Sequence, residues 1–319
     1  MNAERAHKSD FVARARCPAC DGEGRAELFR CAMDEDPIRA HLVAQYETVG
    51  SIEMQLLAGA TFTLVECTTC GLIYHAEVPG PSLSARIYDT WIDPQRARAT
   101  HRAFRDTDSR LRFAREIMLA ERRLRSDADV PMKVLDFGMG WGAWCTMARA
   151  FGCDVYGHES SPERIAHAKE QAIPVLGWDE IEEHRFDLIN SEQVLEHVAD
   201  PHAILEHLVA ALAPGGMIKL SVPDGSDAKK RLAIGNWSAM DGPENLLVLT
   251  PLQHVNCFTR LALVTLAARS GLRPAKLTLG DWFAANADRV SFGNLLGALT
   301  RPLGRRFLAN DTYVFFERA

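Results

Sequence analysis

Two pairs of cysteines carry the plainest chemistry in the chain: Cys17-Pro18-Ala19-Cys20 and Cys67-Thr68-Thr69-Cys70, the second followed by Gly71. Two residues between thiolates let one turn present both sulfurs to a single tetrahedral cation, and two such turns complete a four-thiolate set of the kind that holds structural zinc. Four thiolates leave no open coordination position. The role predicted for Cys17, Cys20, Cys67 and Cys70 is therefore to hold a small domain together, not to catalyse. Disulfide pairing or unrelated surface thiols are the alternative, and a reducing compartment favours the metal. The knuckles lie 46 residues apart, longer than a common ribbon spacing of ~15–20. Cys31 stands alone nearby, and Cys145, Cys153 and Cys257 have no partner at ligand spacing; these three read as core residues.

A second constellation is Asp136-Phe137-Gly138-Met139-Gly140-Trp141-Gly142, with Glu159 21 residues after Gly138. Glycines at this spacing let backbone approach a nucleotide-like ligand, and Gly138-x-Gly140-x-x-Ala143 also satisfies a dinucleotide fingerprint. Asp136 separates the readings. A carboxylate beside the turn repels a pyrophosphate but attracts a sulfonium and an ammonium, as S-adenosylmethionine carries. Two unit charges ~4 Å apart interact by about 4 kcal/mol at an effective dielectric of 20. The third candidate is His254. A hydroxyl acceptor is a poor nucleophile at neutral pH, and a positioned base of suitable pKa contributes about 10²–10⁴-fold. Capping the loop or bonding within the core is its non-catalytic alternative.

These residues need elements to hold them. Asp36 to Gln45 reads as a short helix, and Met54 to Val65 as extended chain leading into the second knuckle. Residues 81–126 carry eleven Arg and six acids. Phe113, Ile117, Ala120 and Leu124 recur there at helical spacing, with Leu111, Ala114 and Met118 widening the apolar face. The arginines read either as an anionic-ligand surface or as a solvated helix face, and the interleaved acids favour the solvated face. Tyr88 and Trp91 precede this helix, where a lid over a ligand would stand. From Met132 strands and helices alternate: Met132–Phe137, Cys153–His158, Val175-Leu176, Phe186–Asn190 and Met217–Val222 as strands, with Ser161 capping a helix that Pro162 opens. Lys276–Leu279 and Thr312–Arg318 read as a last antiparallel pair. The alternation predicts an α/β fold, a doubly wound, mainly parallel seven-stranded sheet of Rossmann-like type, with a small N-terminal zinc-binding domain. The expected division is 1–80 zinc-ribbon-like, 81–130 helical connector or lid, and 131–319 nucleotide-binding.

The glycine run, together with Phe186-Asp187-Leu188-Ile189, Glu192-Gln193-Val194-Leu195-Glu196-His197-Val198 and Leu212-Ala213-Pro214-Gly215-Gly216, resembles the motifs of class I S-adenosylmethionine-dependent methyltransferases over roughly residues 131–279. Met139 departs from the Cys or Ala common there. The resemblance implies that Asp136, Gly138, Gly140 and Gly142 meet the methionine half of the cofactor and that Glu159 accepts the ribose hydroxyls. Trp178 and Asp179 would lie against adenine, Ser191 and Glu192 would face the amino-acid end, and Tyr88 would close over the site. Gln253-His254-Val255-Asn256-Cys257-Phe258 resembles the Glu-His-x-x-Tyr-Phe stretch of zinc-bearing sugar C-methyltransferases, where the matching His is a candidate general base. Gln253 and Cys257 depart from that pattern, and an oxygen acceptor stands beside a carbon one.

Composition bounds the rest. The chain has 319 residues, 36 basic and 42 acidic, with a net charge of −6, 47% hydrophobic and 24% charged residues. That length suits about two domains. The negative balance argues against a nucleic-acid partner bound through bulk charge. No apolar run approaches the ~18 residues of a membrane span, and the start lacks a signal core, which predicts a cytoplasmic protein. The expected partner is a small-molecule or carbohydrate acceptor, with S-adenosylmethionine as cofactor and zinc as structural ion. Two other readings remain at this point: a nicotinamide-dependent oxidoreductase or epimerase, and a non-catalytic zinc-ribbon adaptor with a methyltransferase-like fold.

Overall fold

The computed structural model describes residues 10–100, 106–124, 130–240, 242–278, 280–281 and 311–319. Its strands, in chain order, are β1 (Phe11–Ala13), β2 (Arg25–Ala32), β3 (Thr61–Cys67), β4 (Ile73–His75), β5 (Glu77–Pro79), β6 (Lys133–Phe137), β7 (Asp154–His158), β8 (Phe186–Glu192), β9 (Leu212–Pro223), β10 (Asn256–Cys257), β11 (Leu272–Pro274) and β12 (Asp311–Arg318). The chain divides into two compact units. The first takes Met1–His101, Leu195–Ala203 and Val222–Arg269; the second takes Arg102–Val194, Ile204–Ser221 and Ser270–Ala319.

In the first unit an antiparallel sheet runs β10-β4-β3-β2, and β1 pairs with β5. β3 is central and nearly all buried. The helix Ile38–Val49 buries Ile38, Leu42 and Tyr46 into a cluster with Phe62, Leu64, Trp91 and Trp237. This helix starts two residues later and runs further than the expected Asp36–Gln45. Met54–Leu57 is a 3-10 turn, not the start of an extended stretch. The stretch after β9 forms the helix Ala228–Ile234, and its Trp237, Leu246 and Leu249 are buried.

The second unit is a six-stranded sheet of order β11-β12-β9-β8-β6-β7. β7, β6, β8 and β9 are parallel, and β11 is antiparallel to β12. Val175, expected in a further strand, contributes a single parallel bridge to Gly157 beyond β7. The expected strand Lys276–Leu279 is replaced by β11, earlier in the chain; Leu279 itself lies outside the described residues. β6 hydrogen-bonds to β7 on one side and β8 on the other. The strand order therefore reverses at β6, and a ligand crevice forms at the carboxyl ends of strands beside such a reversal.

The helix Thr107–Leu124 buries Phe113, Ile117 and Ala120 against Trp144, Cys145 and Ala148, as its periodicity predicts. The face is narrower than expected, since Leu111 and Met118 are 42% and 36% exposed. Glu116 instead points inward, where Lys219 neutralises it at 3.1 Å. Cys145, Cys153 and Cys257 are buried. Among the described residues, no helix is long and apolar enough to cross a membrane.

Candidate functional site

In the second unit the residues after β6 turn through Gly138, Gly140 and Gly142, with φ of +72°, +56° and +74°. Side chains are strained in this left-handed region, and glycine is not. Gly138 also has no room for a Cβ, which would strike Val194. Met139 is explained by its neighbour: its sulfur occupies the space a side chain at Gly157 would fill.

Asp136 stands in register with Gly157 on β7 and Asn190 on β8. It is 3% exposed. Asn190 Nδ2 donates to its Oδ1 at 2.6 Å, and Cys145 Sγ lies 3.5 Å from its Oδ2. Burial pushes its pKa up to about 7, outweighing the Asn190 hydrogen bond. A carboxylate so desolvated gains most from a nearby cation. Asn190 is not singled out in the sequence, and Cys145 reads there only as a core residue; strand register brings the first to Asp136, and the helix Ala143–Ala150 brings the second.

Glu159, just after β7, accepts from the Gly140 amide at 3.0 Å and from the Ser160 and Ser161 amides at 2.9 and 3.0 Å. It thus ties the glycine turn to the start of the helix Pro162–Glu170. Ser161 makes no side-chain cap there, a correction to the expectation. The Glu159 carboxylate caps those amides in its place, and an anion at a helix N-terminus is favourable.

Trp178 is 39% exposed and stacks on His207 at 3.7 Å between ring centroids; Asp179 follows it, exposed, in a 3-10 turn. His158 is bonded to the Leu176 carbonyl and stacks on Phe137. Ser191 is buried, and its hydroxyl has no hydrogen-bond partner among the described residues. Glu192, expected to face a ligand's amino-acid end, has both oxygens held by Arg112 and Lys219. Arg112 also bonds Glu116 at 3.2 Å. Burial alone would raise the Glu192 pKa, but Lys219 and Arg112 hold it down to about 2. This network of two acids and two bases is what the sequence did not reveal, because Glu192 and Lys219 lie far along the chain from the Arg112–Glu116 pair.

The first unit gathers a different set. The two knuckles are built alike. Asp21 N bonds Cys17 O and Gly71 N bonds Cys67 O; Cys17 N bonds Gly22 O and Cys67 N bonds Leu72 O. Asp21 and Gly71, one residue after each second cysteine, both have positive φ, +61° and +72°. Cys17 and Cys70 sulfurs lie 3.6 Å apart, and Cys20 and Cys67 sulfurs 3.4 Å apart. A tetrahedron with zinc–sulfur bonds of ~2.3 Å has edges of about 3.8 Å. All four sulfurs lie within 4.8 Å of one another, so the residues present fit such an ion.

His254 is partly buried, with its ring 4.8 Å from that of His197. Burial lowers its pKa to about 4, against the pull of a hydrogen bond to the Leu247 backbone, so it is neutral at pH 7. His197 Nδ1 lies 3.1 Å from the Gln253 carbonyl, and Tyr88 Oη approaches the same nitrogen at 3.4 Å. Tyr88, expected at the cofactor, is thus placed at His197. Arg14 underlies this group. Its guanidinium donates to the carbonyls of His75 and Val255 and to Asn256 Oδ1, all within 2.9 Å.

An open parallel sheet reversing beside a glycine turn, with an acid closing each of the two adjoining strands, defines the class I methyltransferase fold. The family described as "Methyltransferase domain" matches residues 98–277, more than half of this chain, and the chain belongs to it. It is similar to a ubiquinone biosynthesis O-methyltransferase of Nitrobacter winogradskyi, 32% identical over 149 residues, 43% of this chain and 56% of the relative. It is also similar to methyltransferase str2 of Strobilurus tenacellus, 31% identical over 108 residues, 32% of this chain and 39% of that one. The chain spans about half the length of the curated relatives it matches. Among solved structures, the plantazolicin methyltransferase BamL in complex with a triazolic desmethylPZN analog and SAH shares the fold. Its TM-score is 0.51 at 16% identity, over 74% of this chain and 94% of that chain.

Proposed function

We propose that the protein transfers a methyl group from S-adenosylmethionine to a small-molecule or carbohydrate acceptor. The observation that carries this reading is the triple left-handed glycine turn at the reversal point, bounded by Asp136 and Glu159. Three glycines admit a ligand against the backbone, and the buried Asp136 carboxylate favours a cationic one; Glu159 is itself paired with Arg164 at 3.4 Å. Glu159 serves the ribose hydroxyls, Trp178 and Asp179 the adenine, and Ser191 the amino-acid end. Glu192 acts from beneath, fixing Lys219 and Arg112. The cofactor supplies an activated methyl on a sulfonium; the chain aligns it with the acceptor atom, in line at ~3–3.5 Å, and excludes water.

An oxygen acceptor is favoured over a carbon one. The ubiquinone biosynthesis relatives are named O-methyltransferases, and Gln253 and Cys257 depart from the sugar C-methyltransferase pattern. His254, neutral at pH 7, is the candidate base, with His197 beside it and Tyr88 against His197. Cys17, Cys20, Cys67 and Cys70 hold a structural zinc in a ribbon-like module within residues 1–80. Isothermal titration of the purified protein with S-adenosylmethionine tests the reading: one site per chain is expected, and no heat at all would end it.

A further inference from the structure

We propose that Glu196, His197 and His254 form a second metal site, a mixed nitrogen–oxygen site for a divalent transition-metal cation, distinct from the four cysteines. One ligand atom from each of the three lies within 4.8 Å of the other two. Two imidazoles and one carboxylate make a three-point donor set for zinc, iron(II), cobalt or manganese that leaves coordination positions open.

The surroundings are those of a ligand shell. His197 Nδ1 lies 3.1 Å from the Gln253 carbonyl, which accepts a hydrogen bond from Nδ1–H and so favours the tautomer with its lone pair on Nε2. Metal-binding histidines are held in this way, the second nitrogen donating to a carbonyl or carboxylate. His197 Nε2 lies 3.8 Å from Glu196 Oε1. Glu196 is 2% exposed. His254 crosses the His197 ring at 69°, and its Nδ1 is sealed from solvent with no hydrogen-bond partner among the described residues. A buried ring nitrogen without a partner costs free energy unless something binds it.

The two segments that carry these ligands are stitched together on both sides of them. Asn256 Nδ2 donates to the carbonyls of Leu195 and Val198 at 2.9 and 2.8 Å, flanking Glu196 and His197. Arg14 binds the Val255 carbonyl and Asn256 Oδ1, both at 2.7 Å, just after His254. The backbone segments that carry the three side chains are thereby held together before any ion arrives. The open positions suit oxygen atoms of an acceptor. A ligated His254 does not act as a base, so the cation would replace it in acidifying a bound hydroxyl.

Cobalt(II) is the probe. The zinc-loaded full chain is dialysed against a chelator too weak to strip four thiolates, then titrated with cobalt(II) and its metals counted by mass spectrometry. The expected result is two metals per chain, one zinc and one cobalt, with X-ray absorption showing nitrogen and oxygen around the cobalt. Glu196→Gln and His254→Gln are expected to weaken cobalt binding more than about tenfold while the cysteine-bound zinc stays. One metal per chain in the unaltered protein, sulfur-only cobalt, or unchanged cobalt affinity in both variants would overturn the site. The unaltered protein decides the matter if either variant misfolds. A failure to bind S-adenosylmethionine would bear on the proposed function and leave this site standing.

Discussion

Asp136 shows how far a single residue can be read. Its type and its place before Gly138 point to a cation-binding role, but its environment is set by Asn190 and Cys145, 54 and 9 residues away. Its pKa rises from 3.8 to about 7. Between those values the native chain keeps a proton that the unfolded chain has released, so stability falls as pH rises through this window. The full effect is of order 4 kcal/mol. Urea denaturation of the unaltered protein is expected to show a midpoint that falls between about pH 4 and pH 7 and levels off above, and Asp136→Asn a nearly level one. Bound S-adenosylmethionine is expected to shrink the fall, because its positive charge favours the ionised carboxylate. Glu192 teaches the converse. Its place at the end of β8 suggested a ligand contact, and two cations out of sight in the sequence had already claimed it.

At the scale of elements, the glycine turn and the helix Thr107–Leu124 are the informative cases. Gly138 combines φ of +72° with a Cβ position inside Val194. Gly138→Ala is expected to lower stability by about 1–3 kcal/mol and to abolish cofactor binding, read by thermal unfolding and titration calorimetry. Gly140, with open space at its Cβ position, is expected to cost less. The helix was legible from its period: Phe113, Ile117 and Ala120 are buried as spacing requires. Its true inner face includes Glu116, which no hydropathy pattern would place there. Lys219→Met leaves Glu116 and Glu192 to share Arg112 alone. The expected cost is about 3–5 kcal/mol in urea denaturation, the range for breaking a buried ion network.

At the scale of the molecule, the chain's order is not the order of its units. The first unit takes Leu195–Ala203 and Val222–Arg269 in addition to the N-terminal stretch. Stripping the zinc proposed at the four cysteines with a strong chelator, or Cys67→Ser, is expected to raise hydrogen exchange together in residues 10–100, 195–203 and 222–269. Exchange in β6, β7 and β8 is expected to hold, and exchange confined to the knuckles would contradict the prediction. The sequence by itself determined the cysteine knuckles, the glycine turn and the alternation of strands and helices, because each rests on neighbours a few residues apart and on backbone conformations only certain residues adopt. The tertiary structure decided which charges are neutralised, which segments share a unit and which histidines meet. Those depend on burial and counter-charges contributed by chain a hundred residues away, and no local spacing encodes them.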